Sequence, residues 1–245
     1  MVDTKRVALI IGGSRGIGAA ICKRLAAAGN DIILTYAQST ESANSVADEC
    51  RKHDVNARAV RCDAGDIEAG ARLVKQIVDD HGRIDILVNN AATLILGDLL
   101  NVTQDMFDSN VNVNLKGVFF LTQAVAQHMP QGGRIVNIGS VFGEVAPTAG
   151  LDLYSMAKFG MAGLTRAWAH DLGPQGITVN CIQPGPVETD MNPKDGSLSG
   201  FLTPRTAIKR YGRVEEIAEM VAYLVGANTD NVTGSILNND GGLSA

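Results

Sequence analysis

Cysteine is scarce and scattered. Cys22, Cys50, Cys62 and Cys181 contain no CxxC pair, and His53, His81, His128 and His170 contain no HxxxH pair. Without that spacing a tetrahedral zinc site or a helical metal-ligand pair has no scaffold, so no metal is expected. The cysteines read instead as small buried residues in a reducing compartment. Long apolar runs are missing too. No stretch approaches the roughly 18 residues that a membrane-spanning helix needs. The run Val7–Ile11 stops at Gly12-Gly13, too early for the apolar core of a secretory signal. A cytoplasmic location and no membrane partner are the expectations. Nor does one sign of charge dominate: 21 Lys and Arg against 26 Asp and Glu leave a net charge of −5. The only compact basic cluster, Arg205, Lys209, Arg210 and Arg213, is interrupted by Ile208, Tyr211 and Gly212. It is no stripe for tracking a phosphate backbone, which argues against a nucleic-acid partner. No Pro/Ser/Gly-rich linker or repeat divides the chain, so residues 1–245 read as one domain.

What is present is alternation. Residues 5–11 form a short β-branched strand signal, and 17–28 carry Ile17, Ile21 and Leu25 at helical spacing before Gly29. Strand signals recur at 31–36, 57–62, 84–88, 134–138, 178–182 and 235–237. Helical signals lie between them at 42–53, 67–81, 103–128, 153–172 and 215–225. Strands alternating with helices describe βαβ units, hence an α/β, doubly wound parallel sheet of about seven strands with helices on both faces. Ligands in such sheets sit beyond the carboxyl ends of the strands, where the strand order reverses.

The first strand runs into Gly12-Gly13-Ser14-Arg15-Gly16-Ile17-Gly18 and then a helix. Glycines there allow a tight turn and let a pyrophosphate approach the backbone, while the free N–H groups and the helix dipole attract the anion. The second strand ends in Tyr36-Ala37-Gln38-Ser39, with no carboxylate. An NAD site wants an acid there for the ribose diol. Its absence, with Arg15 in the turn and Ser14 and Ser39 as hydrogen-bond donors, favours a 2′-phosphate and so NADP(H) over NAD(H). Asp31 begins that strand, at the wrong end of the sheet.

The GxxxGxG spacing resembles that of the short-chain dehydrogenase/reductase family, a single-domain Rossmann fold, with Ile11 where the family's motif has threonine. Asp63 resembles the family's adenine-contacting aspartate, and Asn89-Asn90-Ala91-Ala92 its NNAG, with alanine for the last glycine. Pro184, Gly185, Val187 and Thr189 resemble its PGxxxT loop, which implies contacts to the nicotinamide carboxamide. Tyr154 and Lys158 form a YxxxK pair that a helix places on one face, about 6 Å apart along the axis. The resemblance implies a catalytic set of Asn114, Ser140, Tyr154 and Lys158. Tyr154 would exchange a proton with the oxygen of a ketone or secondary alcohol. Ser140 would orient that oxygen, Lys158 would hold the nicotinamide ribose and favour the phenolate, and Asn114 would position Lys158 through water. Tyr154 and Lys158 therefore count among both the catalytic and the cofactor residues. Ser140 and Tyr154 lie one residue further apart than the family commonly shows, which places an extra residue in 145–153 and reshapes the substrate pocket. The three residues between Tyr154 and Lys158 argue against the enoyl-reductase variant of the fold.

The resemblance is to 3-oxoacyl-carrier-protein reductases and ketone reductases, and implies a homotetramer with 103–128, 153–172 and the C-terminal strand region at its interfaces. A small or aryl ketone is the leading substrate and an acyl-carrier thioester, met by the basic cluster at 205–213, the next. Residues 190–206, rich in Gly, Ser and Pro, read as a substrate lid or an ordinary long loop. The stretch QPGPVETDMNP also resembles a cyclic-di-GMP-binding member of the family, which leaves a nucleotide-binding regulator as an alternative of another class.

Overall fold

In the strand Val7–Ile11 (β1) every residue is buried, since both faces of the sheet are covered. Val7, Leu9 and Ile11 point into one apolar cluster and Ala8 and Ile10 into the other. That period-two division of a wholly apolar run is what a central parallel strand requires. The computed structural model describes residues 5–196 and 198–245. It holds one seven-stranded sheet in the order β3-β2-β1-β4-β5-β6-β7, every pairing parallel. The strands after β1 are Asp31–Tyr36 (β2), Ala57–Arg61 (β3), Ile86–Asn89 (β4), Arg134–Ile138 (β5), Thr178–Pro184 (β6) and Ile236–Asn239 (β7).

Helices Gly16–Ala27 (α1) and Thr40–Arg51 (α2) lie on one face with Val214–Leu224, the last helix. Ile67–His81 (α3), Val118–Ala126 (α5) and Asp152–Leu172 (α6) cover the other, around Leu73, Val125 and Trp168. Between α3 and α5 comes Gln104–Val111 (α4), capped by the Thr103 hydroxyl accepting from Met106 N. Ser199–Leu202 (α7) is a single short turn, so the last helix, Val214–Leu224, is α8. The sheet organises all the described residues, as the alternation in the sequence predicts.

Two differences bear on the site. The helical stretch 103–128 is not continuous: α4 and α5 are separated by a π-helical turn, Asn112–Gly117, which contains Asn114. In such a turn the backbone is wider than in an α-helix, a distortion that periodicity cannot signal and that often marks a functional position. The region 190–206 is not a featureless loop. It folds back at Thr189–Asn192, where each backbone N–H meets the other residue's carbonyl (3.0 and 3.3 Å), and then forms α7. Ser197, inside that stretch, lies outside the described residues. Among the described residues, no helix is long and apolar enough to cross a membrane. Within the same residues no group of three His, Cys, Asp or Glu side chains is placed to hold a metal ion.

Candidate active site

The order β3-β2-β1-β4 means that the chain reverses direction across the sheet between β1 and β4. A cleft of about 420 Å³ opens there, beyond the carboxyl ends of β1, β2, β4, β5 and β6. The glycine turn forms its floor. Gly12 and Gly16 take φ of +79° and +52°, where a side chain would be strained. A methyl on Gly18 would run into the Gly12 carbonyl and come within 2.6 Å of Asn90 Nδ2. Asn90 Nδ2 donates to the Gly12 carbonyl at 2.8 Å, which holds β4 against the turn. The cradle is thus filled by backbone, and its rim (Ser14, Arg15, Gly16 and Ile17) faces the cleft. Room for a pyrophosphate at a helix N-terminus with no acid in its first turn fits a dinucleotide.

The missing threonine at position 11 is replaced from another strand. Ile11 is buried in the apolar cluster. The buried Thr35 of β2 accepts a hydrogen bond from Gly12 N through Oγ1 at 3.0 Å, while its carbonyl accepts from Gly13 N at 2.9 Å. The turn is braced after all, by a residue the sequence reading passed over. Its signal was there: Thr35 is the polar position inside the otherwise apolar core of the strand DIILTY.

At the adenosine end Tyr36 and Asp63 line the cleft, with Ala37 and Cys62, which the sequence reading did not place there. Asp63 Oδ1 accepts from Gly65 N at 2.9 Å, so the aspartate also shapes its own turn. Burial, with Asp66 and Asp63 nearby, pushes the Cys62 thiol above its ordinary range and leaves it a poor nucleophile. Ser39 is not in the wall; it stands exposed at the start of α2. Asp31 lies at the opposite end of β2, where its carboxylate accepts from Asn56 N and Nδ2 at 2.8 and 3.1 Å. Among the described residues no carboxylate bonds to the end of β2.

Ser140, Tyr154 and Lys158 meet at the middle of the cleft. Ser140 follows β5, and its Oγ accepts from Phe142 N at 3.2 Å, which opens a short turn over Val141–Gly143. Tyr154 and Lys158 lie one turn apart on α6, with Lys158 Nζ 5.5 Å from the phenol ring centroid. Lys158 is buried and donates to the Ile138 carbonyl at 2.9 Å. Among the described residues it has no carboxylate partner, so its positive charge is left for what enters the cleft. Phe142 meets the Tyr154 ring edge-on, centroids 6.4 Å apart. A methyl on Gly143 would come within 2.8 Å of the Lys158 carbonyl oxygen, so the Ser140 turn packs directly on the helix that carries the pair.

Asn114 is buried beside this group but outside the cleft wall. Its Oδ1 accepts from Thr93 N, and its Nδ2 donates to the Thr93 carbonyl and to Asn110 Oδ1, at 2.7–2.9 Å. The side chain therefore fastens the loop after β4 to the π-helical turn; no hydrogen bond joins it to Lys158. Below the site, Asn89 Nδ2 donates to Asn137 Oδ1 and Thr122 Oγ1, and Asn137 Nδ2 donates to Thr165 Oγ1. These bonds lock β4, β5, α5 and α6 together. Cys181 is buried beneath Gly139, and burial pushes its thiol up to about 11.

Pro184, Gly185, Val187 and Thr189 line the cleft beyond β6, and Ala91 with Ala92 lines it beyond β4. Gly185 is pressed against Asp240, where a methyl would come within 2.5 Å of its Cα. Asn192 Oδ1 accepts from the buried Tyr211 hydroxyl at 3.3 Å, which ties the loop to the body. The substrate end is walled by apolar side chains from three loops: Leu94 and Leu96, Phe142 and Leu151, Met191 and Leu202. Gly97 N donates to the Gly150 carbonyl at 3.1 Å, so the first two loops are joined over the site. Among the described residues Asp190 is the one charged side chain lining this end. In the basic cluster Arg210 forms a fork on Glu216 (2.7 and 3.0 Å), Arg213 reaches the same carboxylate, and Arg205 stacks on Phe201. That single carboxylate offsets one of the four positive charges, so the cluster keeps most of its charge.

Comparison with known proteins agrees with this geometry. A family profile described as enoyl-(acyl carrier protein) reductase matches residues 11–244. The cyclic-di-GMP-binding biofilm dispersal mediator protein of Escherichia coli is 40% identical over 99% of this chain and 98% of its own length. A 3-oxoacyl-[acyl-carrier-protein] reductase of Synechocystis is 37% identical over 98% and 97%. Among solved structures, a short-chain dehydrogenase of Burkholderia cenocepacia in complex with NADP superposes with a TM-score of 0.96, at 43% identity over 98% of both chains. Fold, site and relatives agree: this chain belongs to the short-chain dehydrogenase/reductase family.

Proposed function

We propose that the chain is an NADP(H)-dependent carbonyl reductase that interconverts uncharged, largely apolar ketones and secondary alcohols. The observation that carries the reading is the meeting of Ser140, Tyr154 and Lys158 between a dinucleotide-sized groove and an apolar pocket. NADP(H), the dinucleotide of the Burkholderia relative's structure, fits the groove, with the glycine turn under the pyrophosphate and no acid at the end of β2 to repel a 2′-phosphate. Bound there, it would supply or accept the hydride. The Tyr154 phenol protonates the carbonyl oxygen in reduction and takes the proton back in oxidation. The Ser140 hydroxyl donates to the same oxygen and fixes its direction. Lys158, held by the Ile138 carbonyl, brings an uncompensated cation beside the phenol and reaches the ribose side of the groove. Pro184, Gly185, Val187 and Thr189 present backbone and hydroxyl groups to the carboxamide. Asn114 acts on the site through the loop it fastens.

Leu94, Leu96, Leu151 and Met191 exclude water from the reacting carbon and offer nothing to an anion, and Asp190 repels one. That favours a small or aryl ketone over an acyl-carrier thioester, for which the Synechocystis relative is the argument. The stretch 190–206 serves as the substrate loop. Exposed Phe119 and Phe120 on α5 and Phe159 on α6 support a homotetramer, which the mass in solution tests. Unpaired cysteines suit a cytoplasmic setting. The regulator reading keeps its place through the Escherichia coli relative. It predicts that a cyclic dinucleotide binds and that no ketone is turned over.

The test is NADPH oxidation at 340 nm against aryl ketones, 3-oxoesters and a 3-oxoacyl thioester, for wild type and Tyr154→Phe. Turnover of the uncharged ketones, with at least about a hundredfold loss in the variant, is expected. Undiminished turnover by Tyr154→Phe would remove Tyr154 as the proton donor.

A further inference from the structure

The chain after β2 brings no cation to the place where a 2′-phosphate would lie. Tyr36 and Ala37 line the cleft there, Gln38 is neutral, and Ser39 has moved off to the start of α2. Arg15, on the glycine turn, is the one charge the sequence supplies. The structure adds another from the neighbouring strand. Arg61 ends β3 in register with Tyr36, and the ladder continues one step further, with Cys62 N donating to the Tyr36 carbonyl at 2.9 Å. The Arg61 side chain then bends across the end of β2, where its Nε donates to the Ala37 carbonyl at 3.2 Å. Ala37 and Cys62, on either side of that contact, are both wall residues. Among the described residues no carboxylate pairs with Arg61, and its two terminal nitrogens make no hydrogen bond; the residue is exposed and stands just outside the cleft wall, tied to the wall residue Ala37.

We infer that Arg61 is the second cation of the 2′-phosphate site and, with Arg15, sets the preference for NADP(H) over NAD(H). A guanidinium held through Nε keeps a two-pronged donor edge that matches a phosphate, and little rotamer freedom is left to lose on binding. A lysine at this position would carry the charge without the fork. The assignment rests on the reading that the cleft binds NADP(H). It needs no assumption about substrate.

The test is calorimetric titration of wild type, Arg61→Ala and Arg61→Lys with NADPH, NADH, 2′,5′-ADP and 5′-AMP, with melting temperatures to check the fold. Arg61→Ala is expected to weaken NADPH and 2′,5′-ADP about tenfold, the scale of one charge-assisted hydrogen bond. It should leave NADH and 5′-AMP within about twofold, and Arg61→Lys should fall between. The dependence of NADPH affinity on salt should flatten in Arg61→Ala, since one cation is gone. Equal weakening of NADPH and NADH would overturn the assignment, because a residue that only braces the end of β2 acts on both. Unchanged NADPH affinity in Arg61→Ala would overturn it as well. If wild type binds NADPH no better than NADH, the NADP(H) reading itself fails, which is a separate result.

Discussion

Thr35→Val isolates the brace under the glycine turn. The replacement keeps the shape of the side chain and removes the oxygen that accepts from Gly12 N at 3.0 Å. Thr35 is 1% exposed, so solvent has little access to replace the lost partner from the strand side. An N–H left unpaired in such a place costs about 1–2 kcal/mol. For a chain of this size, about 2–4 °C in Tm per kcal/mol gives a fall of about 2–8 °C. Because Gly12 would also be floor to the pyrophosphate in the proposed reading, NADPH affinity should fall as well, by up to about tenfold if the turn relaxes. Thr35→Ser keeps the oxygen and should retain most of both. The assay is a thermal melt with and without NADPH, beside a binding titration. A Thr35→Val protein that melts within 1 °C of wild type and binds NADPH equally would refute the brace, and would mean that the Asn90 contact and the Thr35 carbonyl suffice.

Two further perturbations follow from named contacts. Gly143→Ala places a methyl within 2.8 Å of the Lys158 carbonyl oxygen and 3.0 Å of Gln183 Nε2. Displacement of the Ser140 turn should lower kcat about tenfold or more while NADPH affinity stays within about twofold; an equal loss of both would place the damage elsewhere. Glu216 is held at about 2, well below the ordinary carboxylate range, by the Arg210 fork and the Arg213 backbone N–H. Its folded value is depressed, so its contribution is full above the unfolded value near 4.3 and is lost as pH falls toward about 2. Discounted for partial exposure, it is worth about 1 kcal/mol. Glu216→Gln should therefore melt about 2–4 °C lower at pH 7, with the gap closing as the pH is taken down to 3. A gap that does not change with pH would rule out the charge as its source.

Much of this protein was legible in the chain because it is written locally. A run such as Val7–Ile11 stopped by Gly12-Gly13 and followed by Ile17, Ile21 and Leu25 at helical spacing fixes strand, turn and helix without reference to anything distant. The same alternation, repeated, leaves a parallel sheet as its solution. The proposed catalytic residues could be named from the resemblance to a known family, while helix spacing by itself put only Tyr154 and Lys158 on one face. Four-residue spacing on a helix is a property of the helix alone.

What only the tertiary structure decided are meetings between strands and loops. That Thr35 stands in for the hydroxyl absent at position 11, and that Arg61 reaches across β2, depends on parallel pairing, which sets side by side residues about 24 apart in the chain. Ser39 stands outside the cleft wall because α2 begins at Thr40, two residues before the helical segment 42–53 expected from the sequence. Two arginines of the basic cluster share Glu216 because the turn that opens α8 brings one carboxylate under both. Asn114 is named by the resemblance alone, and its partners Thr93 and Asn110 follow from a π-helical turn that shifts the side-chain register by part of a turn. Local order is set by the chemistry of neighbours in sequence, whereas charge partners and braces are set by which strand ends the sheet brings side by side.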